Sequence, residues 1–143
     1  MSIFTKNELE YMKQQSLGRL ATVDPDGNPH VVPVGFRHNP ETDTIDIGGH
    51  NFARTRKWRD AEQHTRVAFV VDDVLPPWQP RSVEILAEAE LLESGGEEFG
   101  RGLDPQILRL HAVQIIAWGI DEKKQSRKVN RVEAGKNQIH VIV

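Results

Sequence analysis

The 143-residue sequence contains no cysteine, which excludes disulfides, thiolate metal sites and thiol catalysis. It also lacks an apolar run long enough to span a membrane, so we expect no membrane partner. The formal net charge is −3 and the sequence pI is about 6.1, so no overall positive charge favours a nucleic-acid partner. The first residues lack the apolar core of a signal peptide, which makes a cytoplasmic protein the default expectation.

Motifs for side-chain catalysis are missing as well. The six histidines show no metal-ligand spacing, and we predict no metal site. The sequence has neither a glycine-lysine-serine phosphate loop nor the three-glycine dinucleotide fingerprint, and no serine stands in a strained elbow. A catalyst of this composition would take its reactivity from a cofactor.

Alternating or β-branched segments predict about six strands, at residues 18–24, 30–37, 44–47, 65–72, 81–92 and 108–120. Short turns join most of them, and successive hairpins argue against a parallel sheet. We therefore predict a mainly β protein, a closed or partly split antiparallel barrel with a few short helices. One domain would cover residues 1–143, with an N-terminal helix in residues 1–17, the barrel in residues 18–121 and a tail of unassigned role in residues 122–143.

A cationic stretch follows the third predicted strand, in residues 47–60. Two glycines introduce a helix whose first turns carry Arg54, Arg56, Lys57 and Arg59. A helix N-terminus carries partial positive charge and favours acidic side chains, so these cations indicate a bound anion, which we take to be a cofactor phosphate. The alternative is a solvated basic face on which Arg56 pairs with Asp60 one turn later.

Together these motifs resemble the split β-barrel flavin and deazaflavin oxidoreductases, the superfamily of pyridoxamine 5′-phosphate oxidase. The resemblance is greatest to its actinobacterial branch of coenzyme F-420-dependent enzymes. It covers about residues 18–121, and the matching motifs lie at residues 18–22, 26–29, 32–36, 47–50, 54–60, 70–73, 77–81 and 115–120.

The resemblance implies a homodimer that holds two cofactors in grooves at the subunit interface. It assigns the phosphate to Arg54, Thr55, Arg56 and Lys57, with Arg54 and Lys57 on one helical face. It places Val31, Val32, Pro33 and Val34 beside the cofactor ring, and Gly48, Gly49 and His50 near the cofactor's linker. It also brings Trp78 and Arg81 from the partner subunit.

The implied reaction is hydride transfer between reduced F-420 and an electron-poor double bond of a small organic substrate. Two alternatives remain open: an FMN-binding oxidase or reductase of the pyridoxamine-phosphate-oxidase type, and a non-catalytic flavin-, deazaflavin- or haem-binding protein. The sequence assigns no catalytic residue, no proton donor and no particular substrate.

Overall fold

The computed structural model describes residues 1–50, 52–99, 102–121, 124–132 and 138–142. Its helices are α1 (Lys6–Lys13) and α2 (Arg56–Gln63), with short 3₁₀ helices at Phe52–Arg54 and Gly96–Phe99. Its strands are β1 (Gly18–Val23), β2 (Pro29–Val34), β3 (Arg37–Asn39), β4 (Thr44–Ile47), β5 (Arg66–Leu75), β6 (Gln79–Leu92), β7 (Ile107–Trp118), β8 (Lys124–Val132) and β9 (Gln138–Ile142). No helix in this described part of the chain combines the length and apolar character that a bilayer crossing needs.

The strands form one antiparallel sheet in the order β2-β1-β5-β6-β7-β4-β3. The order starts at β2 and ends at β3, and only Gly35 and Phe36 separate these two strands in the chain. The two ends of the sheet are therefore close together, and the sheet curls into a split barrel. This confirms the predicted mainly β fold.

Besides the six strands predicted above, the described residues contain β3, β8 and β9. β8 pairs with residues 114–118 of β7. It lies on the same edge of β7 as β4, which pairs with residues 108–110 of β7. β9 in turn pairs with β8. Both β8 and β9 lie within residues 122–143, the tail to which the sequence assigned no role. The sequence of β8 is polar and charged, so its strand conformation comes from backbone pairing to a distant edge and not from its own hydrophobic pattern.

Alternation of apolar residues places the core on one face of the central strands. In β6, Val83, Ile85, Ala87 and Ala89 are buried, as the predicted alternation requires. The register between β6 and β7 shifts between Leu86 and Ala87, where β7 contains one extra residue. Because of the bulge, residues 108, 110 and 112 before it and residues 115 and 117 after it are all buried on the core side.

The N-terminal segment plugs one end of the barrel. Helix α1 is shorter than the predicted segment and begins with a capping box, in which Thr5 accepts from the Glu8 amide and Glu8 accepts from the Thr5 amide. Glu8 is fully buried and also pairs with Arg127 of β8. The Arg127–Glu8 pair therefore joins β8 to α1.

The proline-rich segment at residues 73–80 is mostly strand and not the long loop that its composition predicts. β5 continues to Leu75 and β6 begins at Gln79, so only Pro76, Pro77 and Trp78 form the connection. Trp78 lies at the tip of this hairpin, with 75% of its surface exposed.

Candidate functional site

The cationic stretch begins before α2 and not inside it. Arg54 lies in the 3₁₀ helix, Thr55 is the N-cap, and α2 starts at Arg56. The Thr55 hydroxyl accepts a hydrogen bond from the Trp58 amide at 3.3 Å. The expectation that Arg54 and Lys57 share one face of the helix is therefore wrong, because the N-cap interrupts the helix between them.

The four cations differ in their partners. The Arg56 guanidinium lies 3.6 Å from Asp24 and 3.7 Å from Asp60, so the solvated-pair interpretation is correct for this residue. No carboxylate of the described residues lies within ion-pair distance of Arg54 or Lys57, and the first turn of α2 contains no acidic residue. These two cations are available for an external anion.

Lys57 lies in a partly apolar setting. Its Nζ is 5.3 Å from the centroid of the Phe52 ring, and its side chain is half-buried. Burial lowers the pKa of Lys57 below its ordinary value, because the charged form loses hydration. An anion beside the ammonium group would favour the charged form and oppose this shift.

Helix α2 is fixed to the barrel by its inner face. Trp58 and Ala61 are buried, and the centroid of the Trp58 ring lies 5.4 Å from that of Phe52. The buried Asp60 accepts a hydrogen bond of 3.0 Å from the Thr22 hydroxyl of β1. The free amides at the helix start are consequently held in a fixed position on the surface.

The segment from Gly48 to His50 is covered by the loop between β6 and β7. The Asp104 amide donates to the Gly49 carbonyl at 3.0 Å, and the Asp104 carboxylate accepts from the Phe52 amide at 3.0 Å. A Cβ on Gly48 would meet the Phe99 ring at 3.5 Å, an ordinary contact, so the packing of the chain does not itself require glycine there. Sequence reasoning missed Asp104 and Phe99, since no local signal connects them with Gly48.

The four β2 residues predicted to contact a cofactor ring do not share one face. Val31 and Pro33 are exposed, whereas Val32 and Val34 point toward the core, as strand alternation requires. A ring beside this strand would therefore meet the side chains of Val31 and Pro33 and the backbone of Val32 and Val34. Because β2 is the first strand of the sheet order, Pro33 lies on an edge strand. Proline has no backbone N–H group to donate, and an edge strand tolerates this.

Trp78 and Arg81 lie far from the cationic stretch within one chain. Asp60 of α2 is bonded to Thr22 of β1, and the neighbouring Ala21 pairs with Ala68 of β5, so α2 lies near the Arg66 end of β5. The hairpin that carries Trp78 follows Leu75, at the other end of β5. From Ala68 to Leu75 a strand covers about 23 Å at 3.3 Å per residue. A single subunit therefore does not bring these two groups together.

Arg81 already has partners in its own chain. Its guanidinium donates two hydrogen bonds to Asp73, at 2.9 and 2.6 Å, and stacks 4.8 Å from the Tyr11 ring. The Tyr11 hydroxyl donates to the same carboxylate at 3.0 Å. These donors hold the pKa of Asp73 below its ordinary value, and burial together with Asp73 raises the pKa of Tyr11.

A family model described as pyridoxamine 5′-phosphate oxidase matches residues 4–139. The chain belongs to the pyridoxamine 5′-phosphate oxidase family. A 5a,11a-dehydrotetracycline/5a,11a-dehydrooxytetracycline reductase from Streptomyces rimosus is 42% identical over 120 residues, which are 82% of this chain and 84% of the reductase. This relative supports an oxidoreductase activity for the chain.

Solved structures share the fold of this family member at lower identity. A conserved hypothetical protein from Mycobacterium tuberculosis superposes with a TM-score of 0.66 at 17% identity, covering 82% of this chain and 86% of the other. General stress protein 26 from Bacillus anthracis gives a TM-score of 0.66 at 18% identity, covering 84% and 95%. Both likenesses concern the fold alone.

Proposed function

We propose that this chain is an oxidoreductase that transfers hydride between reduced F-420 and an electron-poor double bond of a tetracycline-type substrate. The observation that carries the proposal is the pair of cations, Arg54 and Lys57, at the start of α2 without a carboxylate partner in the described residues. The Streptomyces rimosus relative, a reductase of dehydrotetracyclines, supports the direction of the reaction and the substrate class.

The donors at the start of α2 fit a phosphate group. Arg54 and Lys57 supply positive charge, and the first amides of a helix lack intrahelical acceptors. F-420 and FMN each combine a phosphate with a redox-active ring, and the ring supplies the hydride chemistry when bound. The protein would bind the phosphate, orient the ring along the exposed edge of β2 and limit the access of water.

The choice of F-420 over FMN depends on further cations. F-420 carries a polyglutamate tail, which additional surface charge would attract, whereas FMN needs only the phosphate site. Arg59 and Lys124 are exposed and remain candidates for the tail, while Arg81 is held by Asp73. Lys123, the neighbour of Lys124 and a further candidate for the tail, lies outside the described residues.

We also propose a homodimer with the cofactor at the interface. Val31, Ala21, Ala68 and Leu86 follow one another across the outer face of the sheet, giving an apolar row where a monomer would normally present polar side chains. Trp78 could approach the cationic stretch only from a second subunit, given its distance within one chain. Light scattering at micromolar concentration should give the mass of a dimer, and a monomer would contradict this arrangement.

Titration with F-420 and, separately, with FMN tests the cofactor assignment. Arg54→Ala combined with Lys57→Ala should weaken the binding of the preferred cofactor about 100-fold or more, because each charge-assisted hydrogen bond contributes about 1.5–3 kcal/mol. Lys6→Ala with Lys128→Ala is the matched control, since it removes two exposed cations elsewhere and should change little.

Each outcome of the titration points to one function. Preference for F-420 supports the proposal, and preference for FMN selects the FMN alternative. Unchanged affinity in the Arg54 and Lys57 variant removes the phosphate assignment. Binding of haem, but of neither F-420 nor FMN, selects the non-catalytic alternative.

A further inference from the structure

A second concave site lies between α1 and the β2–β3 junction. It is a cavity of about 390 Å³, within the range of about 300–1,000 Å³ that is usual for small-molecule sites. Leu9, Met12 and Phe36 form apolar walls, and Lys13, Arg37 and His38 bring positive or ionisable groups. The site is thus mostly apolar, with donors on one side.

The walls of the cavity are fixed by the core. Met12 is only 2% exposed, and Leu9 and Phe36 pack against the core from its margin. The Phe36 ring contacts the Phe69 ring edge-on, with centroids 5.2 Å apart. A ligand would enter a preformed pocket and would not have to open one.

Two donors of the cavity lack a partner. Lys13 is exposed, and no carboxylate of the described residues lies within 4 Å of its ammonium group. Arg37 pairs with Glu98 through a terminal nitrogen, but its buried Nε has no hydrogen-bond partner in the described part of the chain. The Arg37 guanidinium therefore keeps hydrogen-bonding capacity that Glu98 does not use.

The third ionisable group is already oriented. His38 Nε2 lies 2.8 Å from Asp43, and the Phe4 ring packs edge-on against the imidazole at 5.7 Å. Asp43 also accepts from Ser2 and from the Ile3 amide, at 2.6 and 2.7 Å. His38 therefore forms a fixed wall of the cavity, whereas Lys13 has no carboxylate partner among the described residues.

Two connections lead from the cavity toward the proposed cofactor site. Phe36 stands two residues after the end of β2, the strand whose edge would face the cofactor ring. The Arg37 guanidinium lies 5.6 Å from the centroid of the Phe99 ring, and Phe99 is the side chain nearest to Gly48. One chain of contacts thus joins the cavity to the loop before α2.

We propose that this cavity binds the organic substrate and selects flat, mainly apolar molecules that carry an ionised enol or carboxylate. This proposal rests on the proposed function, since it names the substrate position for the same reaction. The apolar walls would contact the fused rings, and the Lys13 ammonium group, with the Arg37 guanidinium nearby in the lining, would bind the anionic oxygen.

Calorimetric titration of the full chain with tetracycline, with and without F-420, tests the proposal. Tetracycline serves as the probe because it is a flat polycycle with acidic enols. Lys13→Gln should weaken tetracycline binding about tenfold, and Leu9→Trp, which fills the cavity, should abolish it. Lys6→Gln on the same helix is the matched control and should bind like the parent chain.

The cofactor titration separates this proposal from the proposed function. Lys13→Gln and Leu9→Trp should retain the F-420 affinity of the parent chain, which also shows that the variants are folded. Absence of tetracycline binding to the parent chain, or equal affinity in the parent chain, Lys13→Gln and Leu9→Trp, overturns the cavity assignment. Either result leaves the cofactor proposal intact if F-420 still binds.

Discussion

Arg127 should be one of the most important polar residues for stability, although it lies in a segment that the sequence left without a role. Its guanidinium donates to the Glu8 carboxylate, with one contact at 2.9 Å, and to the Ile3 carbonyl at 2.9 Å. The Glu8 side chain is fully buried and that of Arg127 is 10% exposed. The perturbation is Arg127→Met, which removes the charge but keeps an apolar stem of similar length.

The expected loss is about 3–5 kcal/mol in the free energy of unfolding, because the variant leaves an unpaired carboxylate inside the protein. A domain is usually stable by about 5–15 kcal/mol, so the variant would lose a large share of its stability. With an m-value of about 2 kcal/mol/M, the midpoint of urea unfolding should fall by about 1.5–2.5 M.

Two further variants make the assay specific. Arg19→Met breaks an ion pair with Asp72 in which both side chains are nearly half exposed, so it should cost less than about 1 kcal/mol. Glu8→Gln combined with Arg127→Met removes both charges and keeps a residue that can form the capping box. This double variant should be more stable than Arg127→Met alone.

The reasoning is refuted if Arg127→Met and Arg19→Met cost the same. A double variant less stable than Arg127→Met would also count against it, since the unpaired buried charge would then not be the source of the loss. Either result would mean that β8 does not hold α1 in solution as it does in the structure.

Three more predictions concern other parts of the barrel. Gly18→Ala should lower the stability by about 1–3 kcal/mol in thermal unfolding, because the added methyl would lie 2.2 Å from the buried Phe69 ring. Asp73→Asn should flatten the acid limb of the stability curve measured by urea unfolding across pH. The carboxylate's folded pKa is depressed by its guanidinium partner, so its contribution is present above the ordinary value of 3.8 and is lost as the pH falls through the lower folded pKa. Trp78→Ala should weaken cofactor binding in the titration while changing the stability by less than about 0.5 kcal/mol, since the side chain is 75% exposed.

Each of these has a clear counter-result. Gly35→Ala is the control for Gly18→Ala, since a Cβ at Gly35 meets no atom within 4 Å, and equal losses would contradict the steric explanation. An acid limb as steep in Asp73→Asn as in the parent chain would remove Asp73 as its source. A loss of stability without a change in cofactor affinity would make Trp78 a packing residue.

Local patterns were sufficient for much of the fold. The capping box at Thr5, the turn between β1 and β2, and the alternation of β6 each depend on residues within a few positions of one another, so their chemistry can be read directly. The family resemblance, confirmed by the family match, then supplied the barrel.

One feature of the site could have been read locally but was predicted wrongly. Thr55 is a strong N-cap residue, so the position of Arg54 outside α2 follows from a known local preference. The assignment of Arg54 and Lys57 to one phosphate site took precedence over this local geometry. The opposite faces of Val31 and Val32 likewise follow from strand alternation alone.

The sequence by itself determined most of the strands, the family and a dense group of cations around the start of α2. Only the tertiary structure decided which of those cations remain available. Arg56 is paired with Asp24 and Asp60, Arg81 is held by Asp73, and Arg54 and Lys57 have no such partner among the described residues. The reason is physical: charge is a property of the residue, whereas its neutralisation depends on carboxylates that the fold brings from distant positions in the chain.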